Sequence, residues 1–214
     1  MPLPKKPCPK VNLGIFLNRV FSSHMKTAQA AKHFRETSQF AQNTYKGRYP
    51  KHNQFLKVNR DKIRVFVDVG CSIKNGAPTT IEAREALGKK ARCFATDIFD
   101  DPPKEARREF RKRNICYANH DISKIPFLVD GKEHSVDCMR VANVSFYLSQ
   151  SQRRRALINI LRSIKPGGFL IISHSTDVGE FGYLFKVGKD GRSLIEIPYP
   201  GHRLYSSMFG TSET

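Results

Sequence analysis

The stretch "VFVDVGCSIKNG", residues 65–76, decides the fold. An apolar, β-branched run is broken by Asp68, a glycine follows at Gly70, and the next glycine comes only at Gly76. A buried strand that stops at an acid and a glycine turn is how a nucleotide-binding βα unit begins. The GxGxxG spacing that lays a backbone against a diphosphate is absent. The turn therefore holds something other than a diphosphate.

Working outward, strands and helices alternate. Helices are read at "PTTIEAREALG" (78–88), with Pro78 near its start and Gly88 as its stop, and at "PPKEARREFRKR" (102–113), acids early and bases late. Strands are read at "ARCFATD" (91–97), "NICYANHD" (114–121) and "SVDCMRVANV" (135–144). "SQSQRRRALINILRSIKPGG" (149–168) is a capped helix with Ala156, Leu157, Ile160, Leu161 and Ile164 at helical spacing, and "FLIISHS" (169–175) is a fifth strand. "YLFKVGKDGRSLIEI" (183–197) is a hairpin around Lys189-Asp190-Gly191. Five strand–helix alternations predict an α/β fold. Its seven-stranded sheet is doubly wound and mostly parallel, with a C-terminal antiparallel hairpin.

Upstream, "SSHMKTAQAAKHFRETSQFAQ" (22–42) reads as a helix capped by Ser22 or Ser23, and "NTYKGRYPKHNQ" (43–54) as a break punctuated by Gly47 and Pro50. The domain plan is a basic segment 1–60 that could lie over the site, a ligand-binding domain 61–200 and a tail 201–214.

The 214 residues carry a net charge of +18, unevenly spread. Residues 1–60 hold twelve Lys or Arg against the single acid Glu36, and the remainder holds 25 against 18. This imbalance points to an acidic or anionic partner, nucleic acid among the possibilities, or to a solvated arm. No stretch has the ~20 apolar residues of a membrane span. The start, "MPLPKKPCPK", does not read as a secretory signal, while a mitochondrial presequence stays open. Cys8, Cys71, Cys93, Cys116 and Cys138 form no CxxC pair, so neither a zinc site nor another metal site is expected. Buried thiols in a reducing, cytoplasmic compartment are the expectation. Oligomeric state is not legible.

In sheets of this kind ligands bind beyond the carboxyl ends of the strands. Three successive strand ends carry Asp68, Asp97 and Asp121. Carboxylates accept hydrogen bonds from hydroxyls and amino groups and stabilise positive charge. A ligand with a ribose, an adenine and a cationic end suits three of them better than a diphosphate does. S-adenosylmethionine is such a ligand.

At these residues the chain resembles the class I S-adenosylmethionine-dependent methyltransferases, over about residues 63–190. It is most similar to the chemotaxis-receptor glutamate O-methyltransferases. "GCSIKNGAPTTIEA", "ATDI" and "ANVSFYLSQSQRRRALINILRSIKPGGFLIISHS" carry the resemblance. The resemblance implies that the backbone at Gly70, Cys71 and Ser72 faces the methionine end of the cofactor and that Asp68 orients this turn. Asp97, with Ile98, would take the ribose hydroxyls, and Asp121 with Ile122 the adenine. Asn143 would lie near the sulfonium and Tyr147 would face the methyl group and its acceptor. The chain departs from that family at Ala142 (usually Arg), Leu148-Ser149 (usually Phe-Asp) and Thr176 (usually an acid). The acceptor stays open.

Each residue also has a plainer reading. Asp97 and Asp121 could cap the following turns, Asn143 could satisfy backbone and Tyr147 could be core. His120 and His174 near strand ends could be bases or structural histidines. Arg153–Arg155 read as a solvated helix face and Lys165 as a helix C-terminal cation. Methyl transfer from a sulfonium is an in-line displacement, for which a protein mainly supplies proximity and alignment. A carboxylate acceptor would need no base, whereas a hydroxyl or amine would recruit His120 or His174. Arg35, Tyr45, Arg48 and Tyr49 of the basic segment could cover the site. The competing functions are an inactive scaffold of the same fold that binds nucleic acid or an acidic partner, and an active enzyme on RNA or a small molecule.

Overall fold

The computed structural model describes residues 10–11, 44–176 and 179–197. The expected helix 22–42, Arg35, the tail 201–214 and the side chain of His174 lie outside the described residues. The elements are β1 (Lys10–Val11), α1 (Pro50–Val58), β2 (Val65–Val69), α2 (Pro78–Leu87), β3 (Arg92–Asp97), α3 (Lys104–Arg113) and β4 (Ile115–Asn119). They continue with β5 (Val136–Ala142), α4 (Gln150–Ser163), β6 (Ile164–Thr176), β7 (Gly179–Val187) and β8 (Leu194–Glu196).

All the strands join one sheet in the order β1-β8-β7-β6-β5-β2-β3-β4. From β4 to β6 every pairing is parallel. β7 runs antiparallel to β6, and β8 to β7. The seven strands expected are β2–β8, and the two-residue β1 adds an eighth at the edge. The β7–β8 turn closes where Lys189-Asp190-Gly191 predicts it. There Asp190 Oδ1 accepts from the N–H groups of Arg192 and Ser193 and from the Ser193 hydroxyl.

Every residue of β2 is buried, because both sheet faces are covered. On one face Val67, Val69, Met139 and Val141 pack with Ala156, Leu157, Ile160 and Leu161 of α4. On the other, Phe66, Cys138 and Ile171 pack with Phe55 and Leu56 of α1, Ala83 and Leu87 of α2, and Ala106 and Phe110 of α3. Cys71, Cys93 and Cys138 are buried as expected, while Cys116 is exposed. No helix among the described residues is long and apolar enough to cross a membrane.

Three local readings need correction. Pro50 does not break the chain but opens α1, where its fixed φ and missing N–H suit the first helical position. Arg153 is not solvated: it is buried and its Nε donates to the Ser145 carbonyl at 2.9 Å. Lys165 is no helix cation either, since it lies in the long β6 strand that Ile164 opens and its Nζ reaches Asp137 Oδ1 at 2.7 Å. The α4 cap is as expected, with Ser149 and Gln152 forming a reciprocal capping box.

Candidate active site

The strand order reverses between β2 and β5. From β2 the chain steps outward through β3 and β4, then returns to β5 on the other side of β2. That reversal opens a crevice beyond the strand ends. Gly70 follows β2 and Asn143 follows β5, so both flank it. The two turns are in contact: a Cβ on Gly70 would lie 2.4 Å from Val144 Cγ2, and Gly70 has φ +67°. Ser72 (φ 59°), Ala77 (φ 49°) and Asn143 (φ 59°) also adopt left-handed backbone, which is costly without glycine. Such strain gathers at functional sites.

Asp68 is buried inside β2. Its Oδ1 accepts from Arg140 Nε at 2.8 Å, and its Oδ2 from Arg140 Nη2 at 2.5 Å and from the Thr80 hydroxyl at 2.6 Å. This ties α2 and β5 to the base of the turn. Burial opposes the charge of the wholly buried Arg140, yet Asp68, by charge and hydrogen bond, together with Tyr49 and Cys138 holds its guanidinium above its usual pKa. Its planes are framed by Tyr49 and Phe66, whose ring centroids lie 5.1 and 5.6 Å away.

Asp97 ends β3, and its carboxylate grips the glycine turn itself. Oδ2 accepts from Ile73 N at 3.1 Å and Oδ1 from Ile98 N at 2.9 Å. Burial raises its pKa, and those backbone donors pull it back. No cation pairs with Asp97 among the described residues, and a carboxylate has about four acceptor positions. The Cys71 thiol lies 4.0 Å from Asp97 Oδ2. Burial, followed by Asp97 and Asp68, pushes that thiol well up, so Cys71 stays protonated and unreactive. Ser72 stands at the head of the 3₁₀ turn 73–75, and its hydroxyl accepts from Asn75 Nδ2.

The third acid sits differently. β4 stops at Asn119, so Asp121 lies two residues beyond the strand. Its Oδ1 accepts from Ser123 N at 2.9 Å and from the Ser123 hydroxyl at 2.6 Å, and Lys124 stands 3.4 Å from Oδ2. Burial alone would raise its pKa, but Ser123 and Lys124 hold it below the usual carboxylate range. Ile122 is buried in the core and its carbonyl accepts from Asn159, whereas Ile98 is one of the most exposed apolar side chains.

Asn143 Nδ2 donates to the Tyr49 hydroxyl at 3.0 Å. The Tyr49 ring stacks on His52 at 5.0 Å, 14° from parallel, and the Arg48 guanidinium lies 5.4 Å from its centroid. The segment just before α1 therefore lies over the β5 end of the crevice. Tyr45, expected in that cover, is mostly exposed. Tyr147 lies in the 3₁₀ turn 145–147, half-buried. Burial raises its pKa to about 12, against the pull of Arg48. Burial pushes His52 down to about 3, helped by the charge of Arg140. His120 is also lowered by burial, and its ring packs edge-on against Phe127 at 5.2 Å.

The fold thus brings Asp68, Gly70, Cys71, Ser72, Asp97, Asn143 and Tyr147 to one rim. Asp121 stands further along it, on its own turn. Arg140, Thr80 and His52 are missing from the sequence reading. Arg140 left a signal there: an arginine inside the apolar run "CMRVA" needs a buried counter-ion. Thr80 and His52 left none.

The residues fit S-adenosylmethionine. Asp68 is already neutralised, so Asp97 supplies the uncompensated acceptor, beside an exposed apolar Ile98. Comparison with known proteins agrees. Residues 67–172 match a family model described as "Methyltransferase domain". Among solved structures, a protein from Pyrococcus horikoshii superposes with TM-score 0.51 at 15% identity, over 75% of this chain and 85% of that one. N-methyltransferase NodS from Bradyrhizobium japonicum is 22% identical, with TM-score 0.43, over 59% of this chain and 66% of that one. Phosphoethanolamine N-methyltransferase 1 from Haemonchus contortus is 20% identical, with TM-score 0.47, over 73% of this chain. The chain spans only 34% of that enzyme's length. No curated protein sequence matches the chain. The matched stretch, the strand order and the acids at the strand ends together liken residues 67–172, just under half of the chain, to a methyltransferase domain.

Proposed function

We propose that the whole protein transfers the methyl group of S-adenosylmethionine to a carboxylate oxygen of an anionic acceptor. The observation that carries this is the state of the groups at the rim: His52 is buried with its pKa near 3, and Tyr147 is raised to about 12. Neither is matched to removing a proton near neutral pH. His120 packs edge-on against Phe127, and the side chain of His174 lies outside the described residues. A carboxylate arrives ionised and needs no base.

Bound S-adenosylmethionine would supply an activated methyl group on a positively charged sulfur. The chain's own residues would do the rest. In this reading Gly70, Cys71 and Ser72 present backbone to the aminoacyl end, and Asp97 takes ribose hydroxyls on its remaining lone pairs. Ile98 lies against the adenine, and Asp121 with Ile122 borders it. The Asp68–Arg140 pair holds β2 and β5 in register beneath the crevice. Asn143 and Tyr147 align the methyl group with the acceptor, and Tyr49 excludes water from above. Arg48 gives an anionic acceptor a cation at the entrance.

Carboxylate methylation is also the chemistry of the chemotaxis-receptor enzymes that the Cys-Ser turn and the Asn143–Tyr147 pair resemble. Ala142, Leu148, Ser149 and Thr176 depart from them. We therefore propose a carboxylate as the acceptor, and not a receptor glutamate.

Two measurements test this. Calorimetric titration with S-adenosylmethionine should show micromolar binding that Asp97→Ala abolishes. No binding by folded wild-type protein would end the enzyme reading. Label transferred from methyl-labelled S-adenosylmethionine should then be released as methanol at alkaline pH, as a methyl ester requires. Base-stable label would point to an amine or carbon acceptor instead.

A further inference from the structure

We propose that the outer face of α3, with the α2–β3 turn beside it, is a docking surface for the phosphodiester backbone of a nucleic acid. This does not rest on the methyl-transfer reading.

Lys104, Arg107, Arg108, Arg111 and Lys112 recur at i, i+3, i+4, i+7 and i+8, which places them along one face of α3. All are exposed, while Ala106 and Phe110 bury the opposite face. The turn Lys89-Lys90 lies beside the C-terminal end of α3. Arg84 fixes that contact: its Nε donates to the Arg113 carbonyl at 2.7 Å and its Nη1 donates to the Gly88 carbonyl. The end of α2 is thereby held against the end of α3, and both lysines that follow are exposed.

The stripe is not neutralised locally. The acids at its C-terminal end, Glu85 and Glu109, are both held by Arg113. Asp101 stands 3.8 Å from Arg107, and Glu105 is the acid within the stripe. Lys89, Lys90, Arg108, Arg111 and Lys112 pair with no carboxylate among the described residues. A few cations at a helix C-terminus suit the macrodipole. That account covers Arg111 and Lys112 but not Arg108 or the two lysines on a separate turn.

The chemistry of the face selects the partner. Its exposed side chains are charged and none is aromatic, so it lacks the buried anchors that energise a protein interface. It also lacks apolar residues to insert into a lipid surface. Three of the five stripe residues are arginines, whose planar fork takes phosphate oxygens in pairs. Bases one helical turn apart, about 5.4 Å, can reach neighbouring phosphates. Backbone contact without base contact predicts binding indifferent to sequence and steep in salt.

The test is fluorescence anisotropy of the full chain with a labelled single-stranded RNA and a labelled DNA duplex, between 50 and 200 mM salt. These are compared with Arg108→Ala/Arg111→Ala/Lys112→Ala, which keeps good helix formers at exposed positions and should unfold at the wild-type temperature. Five phosphate contacts predict a log–log salt slope of about −4.5 on duplex and about −3.5 on single strands. The triple variant should bind at least ~10-fold more weakly and lose roughly 2–3 from the slope. The tighter of the two probes identifies the kind of nucleic acid. An unchanged slope and affinity in the variant would move binding elsewhere on the chain and overturn the proposal. So would absence of binding at 50 mM salt, or polyglutamate competing as well as nucleic acid at equal charge.

Discussion

Arg140 and Asp68 form a two-pronged ion pair across neighbouring central strands, with Nε 2.8 Å from Oδ1 and Nη2 2.5 Å from Oδ2. Both are essentially removed from water. The two residues pair in register between β2 and β5, so the bridge spans the very reversal in strand order that opens the crevice. Removing one partner leaves a buried charge without compensation.

Arg140→Met or Asp68→Asn alone should therefore destabilise the fold by about 3–5 kcal/mol. The double variant Asp68→Asn/Arg140→Met should recover much of that loss. Urea denaturation of the three variants measures it, and additive losses would show that the pair is not coupled.

Gly70→Ala places a methyl group 2.4 Å from Val144 Cγ2 at a backbone φ of +67°. Both penalties act together, and roughly 2–4 kcal/mol of stability should be lost. If the variant still folds at low temperature, its S-adenosylmethionine affinity should fall as well, because the turn and β5 must move apart. Calorimetry beside denaturation separates the two effects.

Tyr49→Phe keeps the stack on His52 and the face over Arg140 but removes the oxygen that accepts from Asn143. The expected loss is about 1 kcal/mol. Tyr49→Ala should cost more, since it also uncovers Arg140. Equal losses in the two variants, read from thermal unfolding, would deny the ring its role.

His52 gives the fold an acid-sensitive term. Its imidazole is neutral when folded, with the pKa lowered to about 3, whereas the unfolded chain titrates at the ordinary 6.5. Below 6.5 the unfolded state binds the extra proton, so stability is complete above that pH and declines as pH falls toward 3. Between pH 7.5 and 5.5 this amounts to about 1.4 kcal/mol. His52→Gln should flatten the stability–pH curve by that amount over that window, and an unchanged slope would place the titration elsewhere.

Much of this was legible in the chain. The apolar run at Val65–Val69 with its acid and glycine turn, and the alternation that follows, fix β2–β8 and their helices, because burial on both faces demands continuous apolar strands. The strand-end places of Asp68 and Asp97 were likewise legible, since strand ends in such sheets fall on one rim, whereas Asn143 and Tyr147 entered only through the resemblance and Asp121 lies beyond its strand. Local punctuation misled at Pro50, where the same ring that ends a helix also starts one.

Tertiary structure decided the rest, for a physical reason. What a charged side chain does depends on partners distant in sequence, and spacing carries no record of them. Asp68 could be an open rim carboxylate until Arg140, 72 residues away, closes on it. Arg153 reads as solvated until the Ser145 carbonyl takes it inward. Tyr49 becomes part of the crevice only because Asn143, 94 residues further on, donates to its hydroxyl. The sequence by itself determined the sheet and the rim; only the folded chain determined which carboxylate on that rim is left without a cation among the described residues.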